Sequence, residues 1–168
     1  GHTYEAAAGF TWRPIHNFSM DLAATWFDRN GWLLHQQDRN FTTFDARQWQ
    51  PELSVEFFPS AKQELSLTLQ WVGIEAAEDE FFTLEENGTA LVRGPKPPGP
   101  SDSFGLSQLN FQLRYRWQIA PLSDVFVVYT KGDSSRGPLG DFDDLFRDSW
   151  NDPIGEQLVI KLRYRLGS

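Results

Sequence analysis

The stretch Leu109-Asn110-Phe111-Gln112-Leu113-Arg114-Tyr115-Arg116-Trp117-Gln118 decides how the chain is read. Its odd positions are apolar or aromatic, and its even positions are amides or arginines. A period of two sends successive side chains to opposite faces of a strand, so one face is apolar and the other polar and charged. The same alternation carries Tyr4, Ala6, Ala8, Phe10 and Trp12, then Phe18, Met20, Leu22, Ala24 and Trp26. It returns in Leu53, Val55 and Phe57, in Leu65, Leu67, Leu69 and Trp71, and in Leu158, Ile160, Leu162, Tyr164 and Leu166. Val125, Val127 and Tyr129 form a further strand, apolar on both faces through Phe126 and Val128. The pattern predicts seven spans, at 3–13, 17–28, 44–58, 62–76, 105–119, 123–131 and 156–166. Most are longer than the five or six residues usual in globular sheets.

The third span has a conflict. Phe44 and Ala46 have the opposite parity to Trp49, and Pro51 cannot donate to a ladder. A bulge between 46 and 51 is predicted to reconcile the halves.

The connections alternate strictly. Short ones at Pro14–His16, Pro59–Lys62 and Ala120–Ser123 take turns with long ones at 28–43, 77–104 and 132–155. Within the long ones, Phe81–Val92 suggests a small hairpin turning at Glu86-Asn87-Gly88, 93–104 is too rich in Pro and Gly for regular structure, and Asp141–Trp150 suggests a short helix. Short turns on one side and long loops on the other are the habit of an up-and-down outer-membrane barrel, with the turns in the periplasm and the loops outside. No run of 18 apolar residues exists and mean hydropathy is −0.47, which exclude a spanning helix but not spanning strands.

That topology sorts the aromatics. Tyr4, Trp26, Trp71 and Tyr129 fall at the outer rim, and Trp12, Phe18, Phe57, Trp117 and Tyr164 at the periplasmic rim, with aliphatic residues between. Two girdles around an apolar band are the expected lipid-facing surface. The other face would line the lumen with Glu5, Asp21, Glu52 and Glu56, and with Arg114, Arg116, Lys161, Arg163 and Arg165. If these charges pair, they narrow the lumen; if not, they give it a wet, partly basic wall. The expectation is therefore an all-β, antiparallel transmembrane barrel segment over 1–168, acting as membrane anchor or pore in the bacterial outer membrane. The competing reading is a soluble β-sandwich that binds carbohydrate through exposed aromatics.

Composition narrows the chemistry. There is no Cys, which removes disulfides and thiolate sites, and the net charge of −8 argues against nucleic acid. His35 stands near Asp38 and Asp45 in an outer loop, but no Ser completes a nucleophile, so no enzyme is expected. Asp141-Phe142-Asp143-Asp144 with Asp148 and Asp152 lacks the offsets of a calcium loop, and no metal or cofactor is expected.

Around Arg114-Tyr115-Arg116-Trp117, Pro121, Ser123, Phe126-Val127-Val128-Tyr129 and Val159-Ile160-Lys161-Leu162-Arg163-Tyr164-Arg165, the chain resembles an uncharacterised bacterial family. Its long members join an amino-terminal, family-nine-like carbohydrate-binding domain to a carboxy-terminal outer-membrane barrel. The resemblance covers the last third well and the earlier hairpins in style only. It implies an outer-membrane location, a role beside glycans and an upstream region, but no activity. Seven spans in a class of even-stranded barrels likewise predict that further strands precede Tyr4. Trp32-Leu33-Leu34 is the one other apolar run that could hide an eighth strand. The expected partners are outer-membrane lipid, upstream strands or domains, and the barrel-assembly machinery, to which Leu162, Tyr164 and Leu166 would be the signal.

Overall fold

The computed structural model describes residues 1–165. Its order is β1 (His2–Ile15), β2 (Phe18–His35), β3 (Asn40–Ser60), β4 (Gln63–Leu84), β5 (Leu91–Gly94), β6 (Phe104–Ala120), β7 (Ser123–Gly137), α1 (Phe142–Asn151) and β8 (Gly155–Arg163). All eight strands belong to one antiparallel sheet in the order β1-β2-β3-β4-β6-β7-β8, with β5 paired to the end of β4. The seven long strands are the seven predicted spans. Among the described residues β1 and β8 are the two edges and do not pair, so the sheet is open.

The long connections are shorter than expected, because β2, β3, β4 and β7 run on past the ends of the apolar alternation. Backbone pairing needs no apolar face, so parity marks where a face changes character and not where a ladder stops. Of the long connections, what remains outside the elements is 36–39, 85–90, 95–103, 138–141 and 152–154. Trp32-Leu33-Leu34 extends β2 and is no strand of its own. The hairpin through Glu86-Asn87-Gly88 forms as β4–β5, and the predicted loop helix is α1.

The bulge predicted between 46 and 51 is not there. The β2–β3 pairing runs without a shift from Phe18↔Phe57 to Arg29↔Ala46, through Ala24↔Pro51. Pro51 removes a ladder hydrogen bond without adding a residue. The shifts lie instead between Arg29 and Trp32 on β2, at Asp79-Glu80 on β4, between Thr42↔Phe81 and Phe44↔Glu78, and beside the short turn between Phe57 and Ser60. The first is made by Gly31, whose φ of 74° only glycine adopts without cost. At the second, the Thr43 hydroxyl accepts from the Glu80 backbone N–H at 3.0 Å.

The parity conflict has a different cause. Phe44 and Ala46 face opposite to Trp49 and are buried there with Ala76 and Phe104, packed by Trp32, Leu34 and Leu106. Trp32 on β2 and Phe104 on β6 are three strand spacings apart, about 14 Å in a flat sheet. Their rings nevertheless meet edge to face at 6.2 Å. The sheet is thus curled toward this face, which is its concave one. Gly31 flips the parity of β2 so that Trp32 and Leu34 join the cluster while Leu33 faces out.

Candidate functional site

The convex face carries the apolar band. One ladder row runs Trp12–Met20–Val55–Leu67–Leu113–Tyr129–Leu158 through six pairings. On β1 this row is the end of the band nearest the short turns, since Tyr4 to Trp12 is apolar and Pro14 follows. On β7 and β8 the same row is the opposite end of the band, since Lys131 and Glu156 come next on that face. The row therefore crosses the whole band, eight residues from Trp12 to Tyr4, in six strand steps. Eight rises of about 3.3 Å make about 26 Å along the strand, against about 29 Å across six spacings. The strands are inclined about 42° to the normal of the band.

Rings gather at both edges. Trp12, Phe18 and Phe57 make a continuous run at the short-turn edge, with centroids 5.6 and 6.2 Å apart. Trp117 and Tyr164 are exposed on the same side. Tyr4 is 61 % exposed at the far edge, and Trp26 pairs there with Trp49, a ring that was not assigned to a girdle. Trp71 departs from expectation: it is 5 % exposed, because α1 lies over it with Phe142 and Phe146 against its ring.

That helix is built for the position. Phe142, Phe146 and Trp150 recur every four residues on one face, and Asp143 and Asp144 in the first turn suit the helix dipole. Gly73 and Gly105 let it approach, since a Cβ at either would collide with Trp71 or Leu145. Beneath it, Ser149 donates from its hydroxyl at 2.6 Å to Asp133, the Trp71 Nε1–H donates to Ser107 at 2.8 Å, and the Ser149 and Ser107 hydroxyls lie 2.6 Å apart. Lys131 donates to the Trp150 carbonyl and lies 4.7 Å from its ring.

The concave face carries Glu5, Asp21, Glu52, Glu56, Arg114, Arg116, Lys161 and Arg163 together, as the register requires. A groove of about 420 Å³ runs over it past Thr11, Asp21, Glu52, Ser54, Thr68 and Gln70. The acids stand on β1–β3 and the bases on β6 and β8, and among the described residues the two sets form no ion pair with each other. Arg116 Nε donates instead to Asp124 at 3.3 Å, and Arg163 donates to the other oxygen of the same carboxylate. Asp124 was missed in the sequence; its only signal was an acid next to the Pro121-Leu122 turn. The Arg165 backbone N–H donates to Ser123 at 3.1 Å, and Leu166 lies outside the described residues.

At the end away from the short turns, loop 95–103 folds onto the concave face. Glu78 holds it: Lys96 and the Asp102 N–H (2.8 Å) donate to its carboxylate, and its own N–H donates to Ser103 at 2.9 Å. Burial alone would raise the Glu78 pKa. The hydrogen bonds from Lys96, Asp102 and Ser101 and the Lys96 charge outweigh it and hold the carboxyl below its ordinary 4.5. Thr42 and Phe44 are buried on this face, and Lys96 lies 5.8 Å from the Phe81 ring.

The His35 arrangement is not assembled. Its Nε2 lies 3.0 Å from the Asp38 backbone oxygen, and Asp45 accepts from the Gly31 N–H at 3.4 Å. Among the described residues no group of three or more His, Cys, Asp or Glu is placed to hold a metal ion, and no helix is long and apolar enough to cross a membrane.

Searches of curated proteins and of solved structures found no significant match. Residues 2–167 match the model of a family described as a domain of unknown function (DUF5916), and the chain belongs to that family.

Proposed function

We propose that this chain is a section of the wall of an outer-membrane β-barrel, the anchor or pore of a larger exported protein that works beside glycans. The observation that carries the reading is the oblique apolar band. Transmembrane barrel strands tilt by about 35–45°, and only at such a tilt does a band across staggered strands become level with a membrane. The inclination of about 42° that the register implies falls inside that range, and the rings at both edges suit the two water boundaries. Soluble barrels tilt their strands as well; what favours the membrane is that the apolar band lies on the outward, convex face and is edged by rings.

In this reading the short turns lie in the periplasm, and α1 and loop 95–103 lie outside. Both edge strands expose backbone groups that cost several kcal/mol each when left unpaired in lipid. We therefore read β1 and β8 as joined by further strands of the same protein. The glycan setting rests only on the resemblance to a family whose long members carry a carbohydrate-binding domain.

The test is fractionation of the intact protein, followed by electrophoresis with and without boiling. Recovery in the outer membrane with heat-modifiable migration is expected. Wholly soluble protein in periplasm or cytosol would overturn the reading.

A further inference from the structure

We propose that the concave face of β6–β8, at the short-turn end, is a recognition site for polyanionic solutes carrying carboxylate or phosphate groups. Four cations converge there. Arg116, Phe126 and Lys161 share one ladder row, and Arg163 sits opposite Asp124 on the next. Arg114 is one turn of the pleat above Arg116 on the same face. The chain as a whole carries a net charge of −8, so this cluster is no reflection of general basicity.

Asp124 organises the cluster without neutralising it. It is buried, and each of its two oxygens takes one arginine. A guanidinium has five N–H donors in a rigid fork, and each arginine spends one of them here. The side chains of Arg116 and Arg163 remain 49 % and 60 % exposed, with their other donors available to the concave space. Arg163 also lies 6.0 Å from the Phe126 ring, which forms the floor between the two strands of cations. Of the other charged groups nearby, Glu64 faces Arg116 across the β4–β6 ladder and Lys62 lines the same recess, so these two cancel, while Glu56 stands two strands from Arg114 through Ser66 and leaves the cluster with a net positive charge. Arg114 and Lys161 make no ion pair among the described residues.

The spacing sets the ligand class. Arg116 and Lys161 are separated by two strand spacings, about 10 Å. The Asp124 carboxylate already reaches cations on both strands, and the four cations around it leave donors for more than one further anionic group, which a solute carrying several such groups uses best. Bidentate arginine–carboxylate or arginine–phosphate contacts supply the recognition. A purely structural role is the alternative: Asp124 would rivet β6 to β8, and Arg114 and Lys161 would be idle.

Calorimetric titration of the full-length protein in detergent separates the two, with inorganic pyrophosphate and citrate as probes at low ionic strength. The R114Q/K161Q double variant leaves both Asp124 ion pairs intact. Binding of at least one probe is expected, weakened about tenfold or more in that variant, which is about 1.4 kcal/mol or more. Arg13→Gln, on the distant β1, should bind as wild type. Preference for pyrophosphate or for citrate identifies the anion chemistry. No binding of either probe, or unchanged binding in the double variant, would overturn the proposal. The proposal stands apart from the membrane reading, because a soluble protein that still bound these probes through Arg114 and Lys161 would sink only the latter.

Discussion

At the scale of the residue, the two faces of one strand pair make opposite demands. Leu67 and Leu113 are ladder partners on the convex face, and Thr68 beside them is exposed on the concave one. A cation at mid-bilayer on the lipid face of a barrel costs roughly 2–4 kcal/mol. Leu67→Arg and Leu113→Arg should therefore lower the amount of assembled, heat-modifiable protein, while Thr68→Arg should assemble nearly normally. Equal losses at all three positions would mean that the faces have been assigned the wrong way round. Ser149 makes a different prediction. Its hydroxyl serves Asp133 and Ser107 in a buried network under α1, and removing one partner of a buried polar group costs about 1–3 kcal/mol. Ser149→Ala should loosen the helix locally, read as faster proteolysis between 138 and 155 with the sheet unaffected. Unchanged cleavage would show that the aromatic contacts alone hold it.

At the scale of the element, loop 95–103 depends on a titrating group. The Glu78 carboxyl is held below its ordinary 4.5 in the folded state, so it stabilises the docked loop fully above that value. The stabilisation is lost as pH falls through 4.5 and into the lowered folded value. Hydrogen exchange of the 95–103 amides, corrected for intrinsic rates, should show protection at pH 7 that declines below pH about 4.5. Glu78→Gln should lower protection already at pH 7. The chain has no Cys, so Thr42→Cys provides a clean reporter under the loop. Its labelling by a polar maleimide at pH 7 should be slow in the parent and faster with Glu78→Gln. Equal rates would mean that the loop is held without the carboxylate.

At the scale of the whole molecule, the described residues form a sheet with two open edges, β1 and β8. Leu162 is exposed on the convex face opposite Val125, and Tyr164 follows directly beyond β8. Under the proposed barrel reading, deleting 162–168 should lower the amount of assembled protein, because outward Leu158, Ile160 and Leu162 with the Tyr164 ring are the form expected to engage the assembly machinery. Normal outer-membrane levels of the truncated protein would remove that role from these residues.

Period-two alternation was enough to locate all seven long strands and their sequential antiparallel order. Pairing partners were adjacent in the chain, and each face announced itself at every second residue. The turns at Pro14–His16 and Pro121–Leu122, the Asn87-Gly88 hairpin and the loop helix were legible for the same reason, since their signals are local. Which residues share a face followed from parity in the seven spans, apart from Phe44 and Ala46, but which face is concave did not. The bulge at Gly31, the burial of Trp71 under α1 and the concave cluster around Phe44 were not legible. Each depends on which distant element lies across the sheet, and parity says only which side a residue faces, not what covers it. Phe44 and Ala46 read as misplaced band residues until the curl brought Phe104 and Trp32 over them. The candidate anion site was half legible. Its arginines stood out as mid-strand charges, but only the tertiary pairing brought Asp124 between β6 and β8, where a single buried carboxylate can orient two of them.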